Sequence, residues 1–277
     1  MKKNYSLFSK IYLVWLIIFA IIPLLMMIVL SFGDSEGVDF TQFAFTLNNF
    51  TQLFEKNTQI AFWNSIWISA VATFFCALFG YLVAYEISRS HLKNKYLFLI
   101  ILLLPMWSNV LLRTEALGNI FQSENILADL LSKIGINYDV DIKGSYLAVI
   151  IGLVVTYLPI MVLPIYNTLE KIDPSLSEAS FDLGLTRSQT FLKIILPLSA
   201  KGIVTGCIMV FLPCLSGFAI PEILGNGNIV MIGNIIDQLF RDMNYNVGSL
   251  LGVLILIFIT GSIVLVSKFD KNGDTVI

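Results

Sequence analysis

Residues 173–197 read DPSLSEASFDLGLTRSQTFLKIILP, a punctuated polar stretch between two strongly apolar segments. Asp173-Pro174 is a helix start: a capping side chain, then a proline that needs no N–H in the first turn. Leu176, Ala179 and Leu183 share one face at i, i+3, i+7 spacing, and Glu178 and Asp182 share another at i, i+4. Gly184 stands where a left-handed C-terminal cap would end that helix. Thr186 to Gln189 (TRSQ) fits a capping box that starts a second short helix, and Pro197 marks the turn into the next apolar segment. The pattern predicts a short helix, a glycine turn and a second short helix on a membrane surface. A disordered connection would not need these caps.

Composition explains why a membrane is expected. Of 277 residues, 57% are hydrophobic and 13% charged, and the mean hydropathy is +0.83. A soluble domain is roughly a quarter charged, so most of this chain faces lipid or other buried helices. A net charge of −2 with no basic stripe argues against nucleic acid. Cys76, Cys207 and Cys214 lie in apolar segments without CxxC spacing and read as packing thiols. The single histidine, His91, lies in a basic loop, which argues against histidine-based catalysis and histidine-ligated metal.

Outward from the 173–197 stretch, the chain resolves into apolar runs of about the 20 residues needed to cross a bilayer. The spans are placed at about 11–31, 63–87, 96–117, 145–169, 198–220 and 248–267, with a loop at about 170–197. The first run is longer than a signal-peptide core and no small-x-small cleavage site follows, so it reads as a retained span. The expected fold is one all-α membrane domain of six transmembrane helices. One set of connections carries twelve Lys and Arg residues (Lys2, Lys3, Lys10, Arg89, Lys93, Lys95, Lys171, Arg187, Lys193, Lys201, Lys268, Lys271). The other carries four (Lys56, Lys133, Lys143, Arg241). The positive-inside rule then puts both termini and the 170–197 loop in the cytoplasm. The opposite face is acidic, with Asp34, Glu36, Asp39, Glu55, Glu124, Asp129, Asp139, Asp141, Glu222, Asp237 and Asp242. That face would favour a cationic solute, or it is what positive-inside sorting leaves behind.

Ionisable residues inside spans are few: Glu86 near the inner end of the second, and Arg113 and Glu115 toward the outer end of the third. No carboxylate or histidine relay lies near mid-depth, which points to energy supplied from outside the chain. In LLLPMWSNVLLRT (102–114), Trp107 lies eleven residues beyond Tyr96, about 16 Å along a continuous helix. Trp107 beside Asn109 at that depth reads as a lined pathway, or as helix–helix packing with polar contacts. After the fifth span, Phe218 and Glu222 form a candidate cage for an ammonium group, or an interfacial aromatic beside a solvated acid. Prolines at 23, 105, 159, 164 and 213 predict kinks.

The 173–197 stretch resembles the EAA loop of permease subunits in ABC importers: Glu-Ala-Ala, three residues, Gly, nine residues, Ile-x-Leu-Pro. Here Glu178, Ala179, Ser180, Gly184, Ile194, Leu196 and Pro197 stand at those spacings, with Ser180 in place of the second alanine. The flanking TYLPIMVLPIYNTLEKIDPSLSEAS (156–180) and LPLSAKGIVTGCIMVFLPCLSGFAIPEILG (196–225), with LLLPMWSNVLLRT, are similar to permeases of spermidine/putrescine importers, from about Asn64 to the C-terminus. Related permeases for ferric iron, thiamine and other solutes share this framework. The resemblance implies a type I importer permease in the bacterial cytoplasmic membrane. It would be paired with a second homologous permease, two copies of an ATP-binding subunit and an extracytoplasmic solute-binding protein. Glu178, Ala179, Ser180, Asp182 and Gly184 would carry the coupling. The chain has no GxxxxGK[ST] loop, so ATP and magnesium are expected on the ATP-binding partner and no cofactor on this chain. A stand-alone channel or secondary transporter, and a membrane-embedded enzyme, are the competing classes. The enzyme would need a nucleophile–base or metal constellation that this sequence does not display.

Overall fold

A computed structural model describes residues 2–34, 44–90, 94–123 and 141–269, without the side chains of residues 2–8 and 265–269. Expectations placed on His91, Lys93, Lys133, Lys271, Glu36, Asp39, Glu124, Asp129 and Asp139 lie outside these residues. The described chain is helical apart from one isolated bridge, Gly33 to Phe45.

The first span is helix α1 (Lys2–Leu16), a π-helical turn (Ile17–Ile21) and α2 (Ile22–Ser31). A 3-10 turn (Asn48–Phe54) leads into α3 (Lys56–Arg89), the second span. The third is α4 (Lys95–Leu103), a 3-10 turn (Leu104–Trp107) and α5 (Val110–Ile120). Helix α6 (Tyr146–Leu169) is the fourth. Then come α7 (Pro174–Asp182), α8 (Arg187–Thr190), a π-helical turn (Phe191–Ile195) and α9 (Leu196–Ser216). The chain closes with α10 (Ala219–Gly225), α11 (Ile232–Arg241) and α12 (Tyr245–Phe269).

Five helices are long and apolar enough to cross a membrane, and the pair α4/α5, bent by 89°, brings the number to six where it counts as one broken span. The kink expected at Pro105 is thus a full break between α4 and α5. Pro105 is the cause: its ring excludes a regular turn against the carbonyl of Ile101, and Ser108 and Asn109 take extended backbone (ψ 155 and 126). The loop also departs from expectation at its second helix. Residues 187–216 form one continuous 30-residue helix rather than a short helix and a new span. Pro197 breaks nothing because the wider π-helical turn over Phe191–Ile195 absorbs its conflict with the Lys193 carbonyl. The same device precedes Pro23 in the first span. Beyond α9, Gly217 is extended and the chain restarts as α10, so the fifth span stops at Ser216 rather than Ile220.

Helix α6 is the hub. It packs along α3 and α9, which also touch each other, and it buries Leu153, Met161, Val162, Ile165 and Tyr166. Lipid gives helices no hydrophobic drive to associate, so close van der Waals approach must hold them. Small residues permit that approach. A Cβ at Gly80 of α3 would meet Met161 Cγ at 2.9 Å, and one at Gly202 of α9 would meet the Pro164 carbonyl oxygen at 2.7 Å. Gly206, four residues on, faces Met161 and Pro164 as well. Inside this core, Tyr81 and Ser199 hydroxyls hydrogen-bond at 2.9 Å and tie α3 to α9. Helix α12 forms a second layer with α2 and α11, centred on Leu215, Ile232, Leu251 and Ile255.

A Cβ at Gly202 would also meet Thr168 Oγ1 at 2.6 Å, but because the Pro164 oxygen is backbone, no side-chain rotation relieves the whole contact. Gly202→Val is expected to cost about 1–3 kcal/mol and to lower the thermal midpoint of the purified protein. Gly261→Ala, where a Cβ meets nothing within 4 Å, serves as control and leaves the midpoint unchanged or higher. Equal midpoints for Gly202→Val and the unaltered protein would contradict the close-approach account.

Candidate functional site

The 173–197 stretch folds as its punctuation predicts at both caps. The Asp173 carboxylate accepts from the Ser175 N–H at 2.9 Å, and that hydrogen bond holds its pKa below the usual carboxylate value. A lowered pKa means the cap's contribution is complete above the unfolded pKa and is lost only as pH falls through the folded one, so it is intact at neutral pH. Gly184 has φ +80. Its N–H donates to the Phe181 carbonyl at 2.9 Å, and the Leu185 N–H donates to Ser180 at 3.0 Å, a complete Schellman motif. Thr186 and Gln189 form the reciprocal capping box, with Gln189 Oε1 accepting from the Thr186 N–H at 3.0 Å and Thr186 Oγ1 from the Gln189 N–H at 3.3 Å.

One side of α7 is anchored and the other is bare. Ser180 is buried, and its hydroxyl shares a 2.7 Å hydrogen bond with Thr190 of α8. The serine that replaces the second alanine therefore adds a bond to a tight helix contact. Ser177 is buried too and accepts from Arg89 Nη2 at 3.1 Å, which fastens α7 to the end of α3. Lys95 and Glu170 pair at 3.4 Å beside it. Glu178, Ala179, Asp182 and Gly184 are exposed, and so are Leu176, Phe181 and Leu183, the last at 81%. A rigid, doubly fastened helix thus presents acids and apolar groups together outward, which suits a protein partner better than water.

The second region is the break in the third span. Trp107 stands at the bend and is 89% exposed. Asn109 is exposed and caps α5, its Oδ1 accepting from the Leu111 N–H at 2.8 Å. The Ser108 hydroxyl donates to the Pro105 carbonyl at 2.6 Å, and the Arg113 guanidinium donates to the same oxygen. The polar residues here mend a broken backbone in an apolar setting. That is a third reading of SN and R, distinct from pathway lining and from helix–helix contact.

Phe218 and Glu222 are brought together one turn apart at the start of α10. Asn234 of α11, which is buried, clamps both. Its amide donates to the Phe218 carbonyl at 2.9 Å and to Glu222 Oε2 at 2.8 Å, while its oxygen accepts from the Met231 N–H at 3.1 Å. The Glu222 carboxylate is exposed, oriented, and paired with no cation among the described residues. The structure thus gives the Phe218/Glu222 pair a fixed geometry. Helix α5, which begins after Asn109, packs on α10; among the described residues no hydrogen bond or ring contact joins Trp107 or Asn109 to Phe218 or Glu222. Asn234, and the bond that Arg89 makes to Ser177, were not anticipated from the sequence. Asn234 sits at the third position of an amphipathic helix, where a capping amide is a weak signal, and the Arg89–Ser177 bond spans 88 positions with no local pattern.

Residues 78–270 match the family described as binding-protein-dependent transport system inner membrane component. Over 241 residues the chain is 37% identical to the spermidine/putrescine transport system permease protein PotB of Haemophilus influenzae, covering 86% of this chain and 84% of that protein. It is 33% identical over 266 residues to the PotB of Escherichia coli K12, covering 92% and 97%. Among solved structures, a bacterial ABC transporter involved in import of the acidic polysaccharide alginate aligns with a TM-score of 0.77 at 19% identity, covering 98% of both chains. A second structure of a bacterial alginate ABC transporter, in complex with an alginate pentasaccharide-bound periplasmic protein, aligns with the same score at 17% identity. These two establish likeness of fold. The family match spans most of the chain, and the relatives cover it nearly end to end. This chain belongs to the family of inner-membrane components of binding-protein-dependent transport systems.

Proposed function

We propose that this chain is one permease subunit of an ATP-driven importer for spermidine and putrescine. The α7–α8 turn is its docking point for an ATP-binding subunit. The observation that carries the proposal is the construction of residues 173–190: every end of α7 is capped, Ser177 and Ser180 are tied inward, and Glu178, Ala179, Asp182, Leu176 and Leu183 are left outward. A helix fastened in this way passes a push from a partner into the bundle. The route is direct, from α7 through Arg89 to α3 and through Thr190 into the continuous helix that becomes α9. ATP and magnesium belong to the partner, a second homologous permease completes the pathway, and a solute-binding protein delivers the cargo. Both termini and the docking turn lie on the cytoplasmic side by the excess of lysine and arginine there.

Polyamines fit the opposite end. Relatives named for spermidine and putrescine match nearly the whole chain. Glu222, held by Asn234 beside Phe218, offers a carboxylate and an aromatic face to an ammonium group. Trp107 at the bend is a second aromatic surface for the same cargo.

Gly184→Pro removes the φ +80 conformation and the N–H that closes the turn. It is expected to leave the chain in the membrane, abolish spermidine uptake and lose the ATP-binding subunit on purification; normal uptake would refute the docking role. Glu222→Gln keeps size and the bond to Asn234 but removes the charge. Its expected effect is roughly tenfold weaker spermidine transport per molecule of protein, on the scale of one charge-assisted contact. Unchanged transport at matched expression would remove Glu222 from the cargo path.

A further inference from the structure

Phe191 opens the π-helical turn Phe191–Ile195 and follows directly on Thr190, the residue of α8 that holds Ser180. Its ring stands nearly perpendicular to two rings of α3. The centroids are 5.7 Å from Tyr81 and 5.4 Å from Tyr85, with interplanar angles of 83° and 84°. These are edge-to-face contacts within the favourable range. Tyr81 and Tyr85 lie one turn apart and stack on each other at 6.4 Å. Tyr81 is buried, and Tyr85 and Phe191 are half-buried.

The three rings close a circuit through the docking turn. Ser177 of α7 accepts from Arg89, and Arg89 lies over the Tyr85 ring at 5.9 Å. Tyr85 meets Phe191, Phe191 adjoins Thr190, and Thr190 returns to α7 through Ser180. Within α7 the Ser180 hydroxyl donates to the Ser177 carbonyl at 2.7 Å. Tyr81 adds a second hold, because its hydroxyl bonds Ser199, two residues beyond Pro197. Helix α3 therefore grips the continuous helix 187–216 at the start of the wide turn and again beyond its end. The grip matters because a π-helical turn is a place where helices bend. A push entering at Thr190 would be taken up there unless the turn is held from outside. The Arg89–Ser177 bond alone is a weak hold, since Arg89 is exposed to solvent.

We propose that Phe191 is a positioning residue for ATP-coupled transport. Seated against Tyr81 and Tyr85, it stiffens the π-helical turn, so that a displacement of the docking turn reaches α3 and α9 together. It acts through Thr190 and the two tyrosines. The inference rests on the reading of residues 173–190 as the docking point of an ATP-binding subunit. Inert packing by Phe191 would instead predict lost stability with unchanged coupling.

The test is reconstitution of the intact transporter complex in lipid vesicles with spermidine-loaded binding protein, reading spermidine moved per ATP hydrolysed. Loss of folded protein alone does not change that ratio. Phe191→Leu keeps apolar bulk and removes the ring. It is expected to retain the ATP-binding subunit and to lower the ratio about fivefold. Tyr85→Leu is expected to lower it similarly, and the double variant to fall no further than the lower single one, as a shared contact requires. Phe191→Tyr keeps the ring and is expected to leave the ratio near that of the unaltered complex. Should Phe191→Leu fail to assemble, Tyr85→Leu decides. An unchanged ratio in either leucine variant would overturn the proposal. So would additive losses in the double variant, or a loss in Phe191→Tyr as deep as in Phe191→Leu. Absence of ATP-dependent uptake by the unaltered complex would instead overturn the docking reading, and this inference with it.

Discussion

A backbone group stripped of its helical partner inside a bilayer has no water to turn to, and the breaks within the described spans answer that constraint. Where Pro105 breaks the third span, Ser108, Asn109 and Arg113 supply the missing partners. Where α9 gives way to α10, Asn234 reaches across to the Phe218 carbonyl. Where Pro23 and Pro197 threaten a helix, a π-helical turn widens and the helix continues. Irregular backbone in the described spans thus survives where side chains stabilise it or where a π-helical turn lets the helix continue, and the side-chain repairs lie at the third-span break and beside Phe218.

The same constraint separates what was legible in the sequence from what was not. The α7 turn was legible because each of its signals is local. Asp173, Gly184 and the Thr186–Gln189 box act on backbone within a few residues of themselves, so order along the chain determines their partners. The five long apolar helices, and the apolar length of the α4/α5 pair, were legible from the sequence alone. The break at Ser108 was not, because a mid-span proline is compatible with a kink, a π-helical turn or a full bend. Pro197 and Pro105 in fact took different courses. Which one occurs depends on packing: α6 receives α9 closely at Gly202 and Gly206, whereas α4 rests on little but Leu99.

Side-chain roles were the least legible. Asn109 stands out as a polar residue in an apolar run, and its cap on α5 was not anticipated. Ser180 looked like a tolerated departure from alanine, and it is a hydrogen-bonded anchor to Thr190. Glu222 looked like a lone acid beyond a span, and its carboxylate is held by Asn234. For Ser180 and Glu222 the deciding partner lies on another helix. The bonds from Arg89 to Ser177 and from Ser180 to Thr190 also show how a short surface helix is made mechanically continuous with two crossings.

The central claim is that this membrane subunit works only within a larger complex fastened at α7. The direct measurement is isolation of the chain from its native membrane in a gentle detergent, with mass spectrometry of what accompanies it. The account predicts an ATP-binding subunit and a second six-span permease in stoichiometric amounts. A folded chain recovered reproducibly alone, and moving solute in vesicles without ATP, would contradict it.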